Sequence, residues 1–285
     1  MRGFAQPGPG EPESSDGIAS SATLERMLIC PVRGCRLPLA REERRVCCAR
    51  KHSFDLARSG YINLLQPQDR RSKQPGDTAA AIAGRRRLHD RGVTQPLLQA
   101  IREMLGATAN DLVLDAGCGD GVYLGTLAGA TGFRGFGVDI SVPAIDAAAR
   151  RFPRCEWIVA NADRFIPYAD GSFSIILSIT ARRNASEFRR VLRGGGRLLV
   201  AVPAPDDLVE LRGTGRDRVV RTVESFADNF ELVEQRQVTT AADLDAAAVA
   251  DVLHSIYRPR PKQPVQPMRL TFSLDLLKFQ AAPAA

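Results

Sequence analysis

Short apolar runs alternate with amphipathic segments through the middle of the chain. The apolar runs predict strands at 112–114, 136–138, 157–160, 174–179 and 197–202. Before and between these runs, apolar residues recur at helical spacing, which predicts helices at 95–105, 141–152 and 185–192. Because strands and helices alternate, we expect a parallel sheet covered by helices on both faces. Ligands of such sheets bind at the carboxyl ends of the strands.

The last third of the chain predicts two more strands, at 231–238 and 269–276, with an alanine-rich helix at 241–253 between them. Three consecutive glycines at 194–196 are expected to turn the chain from the preceding helix into the fifth strand. Residues 79–90 also have helical composition. The pattern therefore predicts an α/β protein with a seven-stranded, Rossmann-like sheet.

Glycines recur at every second position after the first predicted strand. Asp115 ends that strand, and Gly117, Gly119 and Gly121 follow it. This spacing differs from the Gly-x-Gly-x-x-Gly fingerprint of dinucleotide sites. Asp139 ends the second predicted strand, where a carboxylate suits the paired hydroxyls of a ribose. The pattern predicts a nucleoside cofactor over the loop, and a glycine turn in another doubly wound fold is the alternative.

Four of the six cysteines fall within nineteen residues near the start of the chain. Cys30 and Cys35 form one close pair, and Cys48 forms a second pair with His52. Thiolates and an imidazole at this spacing can meet at a tetrahedral zinc, and the absence of an export signal favours metal over disulfides. We predict a structural zinc on these four residues. Cys47 in place of Cys48, or a reduced cluster without metal, are the alternatives.

Composition narrows the classes of function. The chain of 285 residues is 44% hydrophobic and 25% charged, and no apolar run approaches the ~20 residues needed to span a bilayer. We expect a cytoplasmic protein without a membrane partner. The net charge is +7 and most basic residues are arginine, which favours a nucleic-acid partner. Arg70, Arg71, Lys73 and Arg85 to Arg87 are expected to track an RNA backbone, with solvated helix faces as the alternative.

Several short motifs accompany the zinc cluster and the Asp115 loop, namely segments 52–55 and 60–64, Pro75-Gly76-Asp77 and Arg86-Arg87. Together they resemble the bacterial large-subunit ribosomal RNA guanine-N1 methyltransferases of the RlmA type, which include macrolide-resistance enzymes. The loop and the acid after the second strand resemble motifs I and II of class I S-adenosylmethionine-dependent methyltransferases. The resemblance implies a zinc-binding RNA-recognition module joined to a class I methyltransferase sheet whose last strand runs antiparallel. It also implies S-adenosylmethionine as cofactor and, as target, one guanine of a 23S rRNA hairpin near the peptide exit tunnel.

The resemblance also suggests roles for residues after the third and fourth strands. Asn161 and Asp163 would join the cofactor site, Asp163 at the adenine, with a strand-end turn as the alternative. Removal of the guanine N1 proton leaves charge on O6, and Arg182 and Arg183 are candidates to stabilise that charge. The chain departs from the family pattern at 92–94, at 180–182 and around Tyr257. These departures border the expected substrate side.

We expect four segments: an unstructured leader at 1–24, the zinc-binding module at 25–66, a basic linker at 67–92 and the methyltransferase domain at 93–285. The partner is ribosomal RNA, and the chain acts as a monomer or a homodimer. Two other functions stay open, a small-molecule methyltransferase with a structural zinc knob and a non-catalytic zinc-dependent RNA-binding protein. The polar, basic linker argues against the first, and the complete glycine loop argues against the second.

Overall fold

A computed structural model of the protein describes residues 27–69, 75–256 and 265–282. The strands are β1 (Ala40–Glu42), β2 (Arg45–Cys47), β3 (Ser53–Asp55), β4 (Ile62–Asn63), β5 (Leu112–Ala116), β6 (Arg134–Asp139), β7 (Glu156–Val159), β8 (Phe173–Ile179), β9 (Leu192–Pro203), β10 (Phe230–Leu244) and β11 (Met268–Ala281). The helices are α1 (Ala79–Asp90), α2 (Gln95–Leu105), α3 (Val122–Thr131), α4 (Val142–Arg151), α5 (Ala185–Val191), α6 (Val209–Arg212), α7 (Val219–Phe226) and α8 (Ala246–Ser255). Among the described residues, no helix is both long and apolar enough to cross a membrane.

The predicted seven strands form one sheet, and an eighth strand joins its edge. The strand order is β10-β11-β9-β8-β5-β6-β7-β4. Strands β4 to β9 run parallel to one another in this sheet, whereas β11 runs antiparallel to both β9 and β10. The predicted antiparallel last strand is therefore confirmed. The added strand, β4, comes from the segment that directly follows the cysteine cluster.

Two sequence expectations about the last strands are wrong. Residues 241–244 belong to β10, not to a helix, because they continue the alternation of exposed and half-buried positions and pair with β11 as far as Leu244. The helix α8 starts only at Ala246, where the Asp245 carboxylate accepts the Ala248 N–H at 2.8 Å. The glycine triplet at 194–196 does not precede the fifth strand but lies within β9, which already begins at Leu192.

The two faces of the sheet are covered by different groups. On one face, α2, α3 and α4 contribute Ile101, Leu124 and Ile145 to a fully buried cluster. On the other face, the N-terminal module shares a core with Phe136 and Tyr168 of the larger sheet. Backbone hydrogen bonds reinforce this contact at the start of the described chain, with the Ile29 N–H donating to Pro167 O at 3.0 Å. The N-terminal module is thus packed directly against the parallel sheet.

The large Trp157 side chain on β7 leaves space only for small residues where it packs against β6 and the nearby glycine loop. Its indole N–H donates to Phe152 O at 3.0 Å and its side chain is almost completely buried. A Cβ atom at Gly137 would overlap the Trp157 ring and lie 2.9 Å from the Cys118 sulfur. We expect Gly137→Ala to lower the free energy of unfolding by about 1–3 kcal/mol, because the packed ring has no space to move into.

Gly129 provides the matched control for this substitution. It lies within α3 with open space around its Cβ position, so Gly129→Ala should leave stability unchanged or raise it by up to about 1 kcal/mol. Urea denaturation of the wild type and both variants measures the difference. Equal stability of the two alanine variants would contradict the proposed packing constraint.

Candidate functional site

The cysteine cluster brings four ligand atoms together at the start of the chain. Two tight turns present them: the Cys35 N–H donates to Val32 O at 2.9 Å, and the Lys51 N–H donates to Cys48 O at 2.8 Å. Cys30, Cys35, Cys48 and His52 offer ligand atoms that all lie within 4.8 Å of one another. The three sulfurs belong to buried residues, and His52 is half-buried.

The spacing of these atoms fits a tetrahedral zinc. The His52 Nδ1 lies 3.4 Å from the Cys30 sulfur and 3.5 Å from the Cys48 sulfur, and the Cys35 and Cys48 sulfurs are 3.8 Å apart. Zn–S and Zn–N bonds of about 2.3 and 2.0 Å at tetrahedral angles place sulfurs about 3.8 Å apart and sulfur about 3.5 Å from nitrogen. Four protein ligands leave no open position, so the site is structural.

Cys47 is not part of this set. Its thiol instead lies 2.6 Å from the Glu42 carboxylate. The choice between Cys47 and Cys48, which sequence spacing left open, is therefore decided for Cys48.

The glycine loop after β5 is held against the end of β6. The Gly117 and Cys118 N–H groups both donate to Val138 O, at 2.8 and 3.2 Å. The Gly119 N–H donates to the Asp139 carboxylate at 2.9 Å. Gly119 has a φ of +55° and nothing within 4 Å of its Cβ position. The loop backbone therefore borders open space at the carboxyl end of the sheet, where a ligand can approach closely.

Three carboxylates surround this loop, and two of them have unpaired buried oxygens. Asp115 is 1% exposed, and its Oδ1 has no hydrogen-bond partner within the part of the chain that the structure describes. Burial, with a contribution from the charge of Asp139, raises the pKa of Asp115 to about 8. The Asp120 Oδ2 is also unpaired, and burial raises the pKa of that residue. Unpaired buried carboxylate oxygens are costly, so this pocket is chemically suited to a cationic or hydrogen-bond-donating ligand.

Asp139 differs from the other two because each of its oxygens already accepts a backbone N–H. Besides Gly119, the Ser141 N–H donates to it at 2.8 Å. Burial nevertheless raises its pKa, against the effect of these hydrogen bonds. A carboxylate oxygen has more than one lone pair, so Asp139 can still accept a hydroxyl while it fixes the loop.

Sequence reasoning missed the role of α1 beside this pocket. Arg85 forms an ion pair with Asp77, and its charge also acts on Asp120 and Asp139. The backbone carbonyl of Asp77 accepts a hydrogen bond from the Ser141 hydroxyl at 3.0 Å. His89, buried one turn after Arg85, lies edge-to-face against Tyr123. Burial, and then the charges of Arg85 and Arg151, lower the pKa of His89 to about 4, so it is neutral near pH 7.

Arg85 and Arg87 each have a carboxylate partner within the protein, whereas the contact of Arg85 to Arg87 with RNA stays a prediction. Arg85 faces the acidic pocket, and Arg87 makes a two-pronged ion pair with Asp251 of α8, with atom separations of 2.8 and 2.5 Å. Of these three arginines, only Arg86 is exposed and has no ion pair with the described part of the chain. The other residues of the predicted basic linker, Arg70, Arg71 and Lys73, lie outside the described residues, as do the leader and Tyr257.

Asp163 and the arginines after β8 lie on a second feature, a groove beside the glycine loop. Asn161 forms the turn after β7, where its side-chain oxygen accepts the Asp163 N–H at 3.1 Å. Arg182 lies 3.5 Å from Asp163, and Arg183 is half-buried. The groove has a volume of about 1460 Å3. We call it the arginine groove because its walls include Arg164, Arg182, Arg183, Arg212, Arg216, Arg218 and Arg221.

Comparison with known proteins finds two family matches in this chain. Residues 28–73 match the zinc-ribbon family described as RlmA, N-terminal. Residues 113–197 match the family described as methyltransferase domain. The first match contains all four zinc ligands, and the second begins in β5 and includes the glycine loop.

Individual relatives extend these matches. The 23S rRNA (guanine(748)-N(1))-methyltransferase of Streptomyces fradiae is 38% identical over 239 residues, which cover 80% of this chain and 84% of that protein. The demethylmenaquinone methyltransferase of Tropheryma whipplei is 38% identical over only 112 residues, or 36% of this chain and 46% of that protein. One chain of the Haloferax volcanii complex containing the Trm112 methyltransferase activator has a similar fold, with a TM-score of 0.52 and 20% identity over 73% of this chain and 95% of that one.

The zinc ligands can be tested by removing one thiol at a time. We expect freshly purified, reduced protein to contain about one zinc per chain, because a closed four-ligand site binds the metal during folding. Cys48→Ala should lose most of that zinc, since it removes a ligand. Cys47→Ala, at the neighbouring residue, should retain it. Elemental analysis measures the zinc content, and zinc retained by Cys48→Ala but lost by Cys47→Ala would contradict the assignment.

Proposed function

Because this chain belongs to the 23S rRNA (guanine-N1)-methyltransferase family, we propose that it transfers the methyl group of S-adenosylmethionine to N1 of a guanine in 23S rRNA. The observation that carries the proposal is that two surfaces of opposite charge meet at the ends of β5 and β8. The buried carboxylates beside the glycine loop, which we call the acidic pocket, form one surface, and the arginine groove beside them forms the other. The first suits a positively charged cofactor, and the second suits a polyanion.

The pocket fits S-adenosylmethionine by the chemistry of its unpaired groups. We assign Asp115, Gly117, Gly119, Gly121 and Asp139 to the cofactor. In this assignment the free Asp115 oxygen receives a positive group of the cofactor, and Asp139 receives the ribose hydroxyls. Asn161 and Asp163 would border the adenine at the end of β7, and the contact of Asp163 with Arg182 would place it between adenine and substrate.

When bound, the cofactor supplies a methyl group already activated by the positive sulfur, so the protein chiefly has to orient the acceptor and exclude water. Loss of the guanine N1 proton to water would make N1 nucleophilic and leave negative charge on O6, and the charge would disappear when N1 accepts the methyl group as the S–CH3 bond breaks. Until then, a fixed positive group would stabilise O6. We assign this role to Arg183 rather than Arg182. Arg183 is half-buried and has no carboxylate at ion-pair distance among the described residues, whereas the Arg182 side chain is 74% exposed and contacts Asp163.

The finer parts of the proposal concern the substrate and its surroundings. The recognised element is a hairpin, because a stem-loop offers phosphates for arginines and a loop base that can be splayed out into a pocket. The zinc module, at 25–66, would position this hairpin for the methyltransferase domain, at 93–285, with 67–92 as the connection. We place the reaction in the cytoplasm, with a homodimer as the alternative to a monomer.

The two competing functions are less compatible with the site. A small-molecule methyltransferase needs an apolar pocket that encloses its substrate. The arginine groove is instead open and lined largely by charged residues. A non-catalytic RNA-binding protein would have no use for Asp115 with an unpaired buried oxygen above an open glycine loop.

The direct test is transfer of labelled methyl groups to unmodified 23S rRNA transcripts, followed by mapping of the labelled nucleotide. We expect a single labelled guanine, with the label on N1. Reverse transcription locates that base, because N1 methylation blocks it there. Label on another base or atom would refute the substrate assignment. Absence of transfer despite tight cofactor binding would favour the small-molecule alternative.

Asp115 offers a sharper test of the cofactor site than Asp139, whose replacement would also release the Gly119 and Ser141 N–H groups. Without cofactor, the pKa of Asp115 is raised to about 8, and a nearby positive charge would lower it. Binding would therefore release a proton below about pH 8, so affinity should rise with pH. Asp115→Asn has no such proton, and near pH 8 it should bind more weakly by roughly 1.5–3 kcal/mol.

Calorimetry between about pH 6 and about pH 8 measures the ratio of wild-type to Asp115→Asn affinity. Titration of the cofactor itself occurs with both proteins and cancels in this ratio. We expect the ratio to increase with pH over this range. A ratio that is constant with pH would show that Asp115 does not contact the positive charge of the cofactor.

A further inference from the structure

The arginine groove combines residues that the family resemblance suggested with a wall that no sequence motif singled out. One wall is the loop after β8, with Arg182 and Arg183. The facing wall runs from the end of β9 through the loop at 213–218 to the first turns of α7. Seven arginines and four aspartates line the groove, so positive charge exceeds negative charge on its surface.

The four aspartates are already engaged within the protein. Asp69 contacts Arg164 at 3.2 Å, and Asp163 contacts Arg182 at 3.5 Å. Asp207 contacts Arg212 at 3.3 Å and also accepts the Ser273 N–H. Asp217 accepts the Val219 N–H at 2.8 Å. These contacts leave four arginines of the groove without a carboxylate at ion-pair distance in the described chain: Arg183, Arg216, Arg218 and Arg221.

Two of these unpaired arginines repel each other. Burial, and then the positive charge of Arg218, lower the pKa of the Arg183 guanidinium. Holding two like charges on the facing walls of one groove is unfavourable for the protein alone, and an anion bound between them would remove that cost. Arg216, Arg218 and Arg221 are exposed, so their guanidinium groups are accessible to a ligand from solvent.

The position of the groove connects it to the methyl-transfer site. Ala181 packs so closely on the glycine loop that a Cβ atom at Gly117 would overlap its side chain. Arg182 and Arg183 follow Ala181 directly, so the wall of the groove begins where the cofactor loop ends. A chain of phosphates lying in the groove would therefore pass beside the acceptor base.

We infer that the arginine groove binds the phosphate backbone of the substrate RNA next to the target nucleotide, through Arg216, Arg218 and Arg221 on the wall formed by 213–225. This inference rests on the proposed function for the identity of the RNA. It favours a polyphosphate chain over a single small anion, since the groove, at about 1460 Å3, exceeds the 300–1,000 Å3 that is usual for small-molecule pockets. Arginine forks match phosphate geometry, and three of the unpaired arginines, Arg216, Arg218 and Arg221, follow one another closely in the chain along this wall.

The test reverses two charges that the mechanism does not use. The variant is Arg216→Glu combined with Arg221→Glu. The control is Arg102→Glu combined with Arg154→Glu, which makes the same change of charge. Arg102 lies in the last turn of α2 and Arg154 just before β7, both at the amino-terminal edge of the sheet. Both control arginines are exposed and have no ion pair in the described chain.

Binding of an unmodified 23S rRNA transcript is measured across a salt series. Each phosphate neutralised contributes about 0.7–0.9 to the log–log slope, so the groove variant should have a slope smaller in magnitude by about 1.5, and the control should keep the wild-type slope. In methyl transfer, the groove variant should raise KM for RNA at least about tenfold and leave kcat within about twofold, because phosphate contacts position the RNA and do not act on the reacting atoms. Its affinity for S-adenosylmethionine should be unchanged.

The outcomes separate this inference from the proposed function. If wild-type protein methylates 23S rRNA but the groove variant matches the control in slope and KM, the inference is overturned and the function stands. If wild-type protein binds the transcript without methylating it, and the groove variant loses binding, the groove is supported and the function fails. If an acidic polypeptide displaces RNA from the wild type as effectively as unlabelled rRNA does, the groove recognises acidic protein and the inference is wrong.

Discussion

The burial of carboxylates at the carboxyl end of the sheet is the constraint on which the site depends. Asp115, Asp120 and Asp139 all have raised pKa values because of burial, and apolar strands surround them. The protein offsets part of this cost by turning backbone N–H groups of the glycine loop and of α4 toward Asp139. Such a turn needs positive φ angles at Gly117, Gly119 and Gly121, which is why glycine recurs at every second position. The oxygen of Asp115 that stays unpaired is then available to a ligand.

The chain before the sheet is arranged around the same acidic pocket. Gly76 approaches Ser141 so closely that a Cβ atom would lie 2.7 Å from the serine Cβ, and this approach brings Asp77 and Arg85 to the pocket. Further toward the N-terminus, β4 pairs with β7, and residues of the zinc module share a core with the opposite face of the sheet. The zinc therefore fixes a segment whose far end is a strand of the catalytic sheet. A module attached in this way presents a surface at a defined position relative to the pocket, instead of moving on a flexible linker.

The sequence predicts the elements whose signal is local. The parallel strands, the glycine loop and the zinc ligands each depend on residues that lie within a short stretch, so apolar runs and spacing suffice to find them. The length of β10 could not be predicted, because alanines and threonines at 239–242 suit either a helix or a strand, and only pairing with β11 decides between them. The partner of Arg87 is 164 residues away in the sequence. No local pattern indicates such a pair, and a run of arginines therefore resembled an RNA contact although two of its members are used internally.

The distribution of arginine shows why net charge alone does not indicate which part of the surface would bind an anion. The chain carries a net charge of +7, but arginines such as Arg85, Arg87 and Arg190 are held by carboxylates of the body and contribute little to an external field. The unpaired arginines of the groove lie in a concave surface, where field lines from like charges are focused. Beside them, across Ala181 and Gly117, lies a pocket of the opposite sign. In the proposed function, a positively charged methyl donor and a negatively charged RNA would thereby be attracted to adjacent sites on either side of one loop.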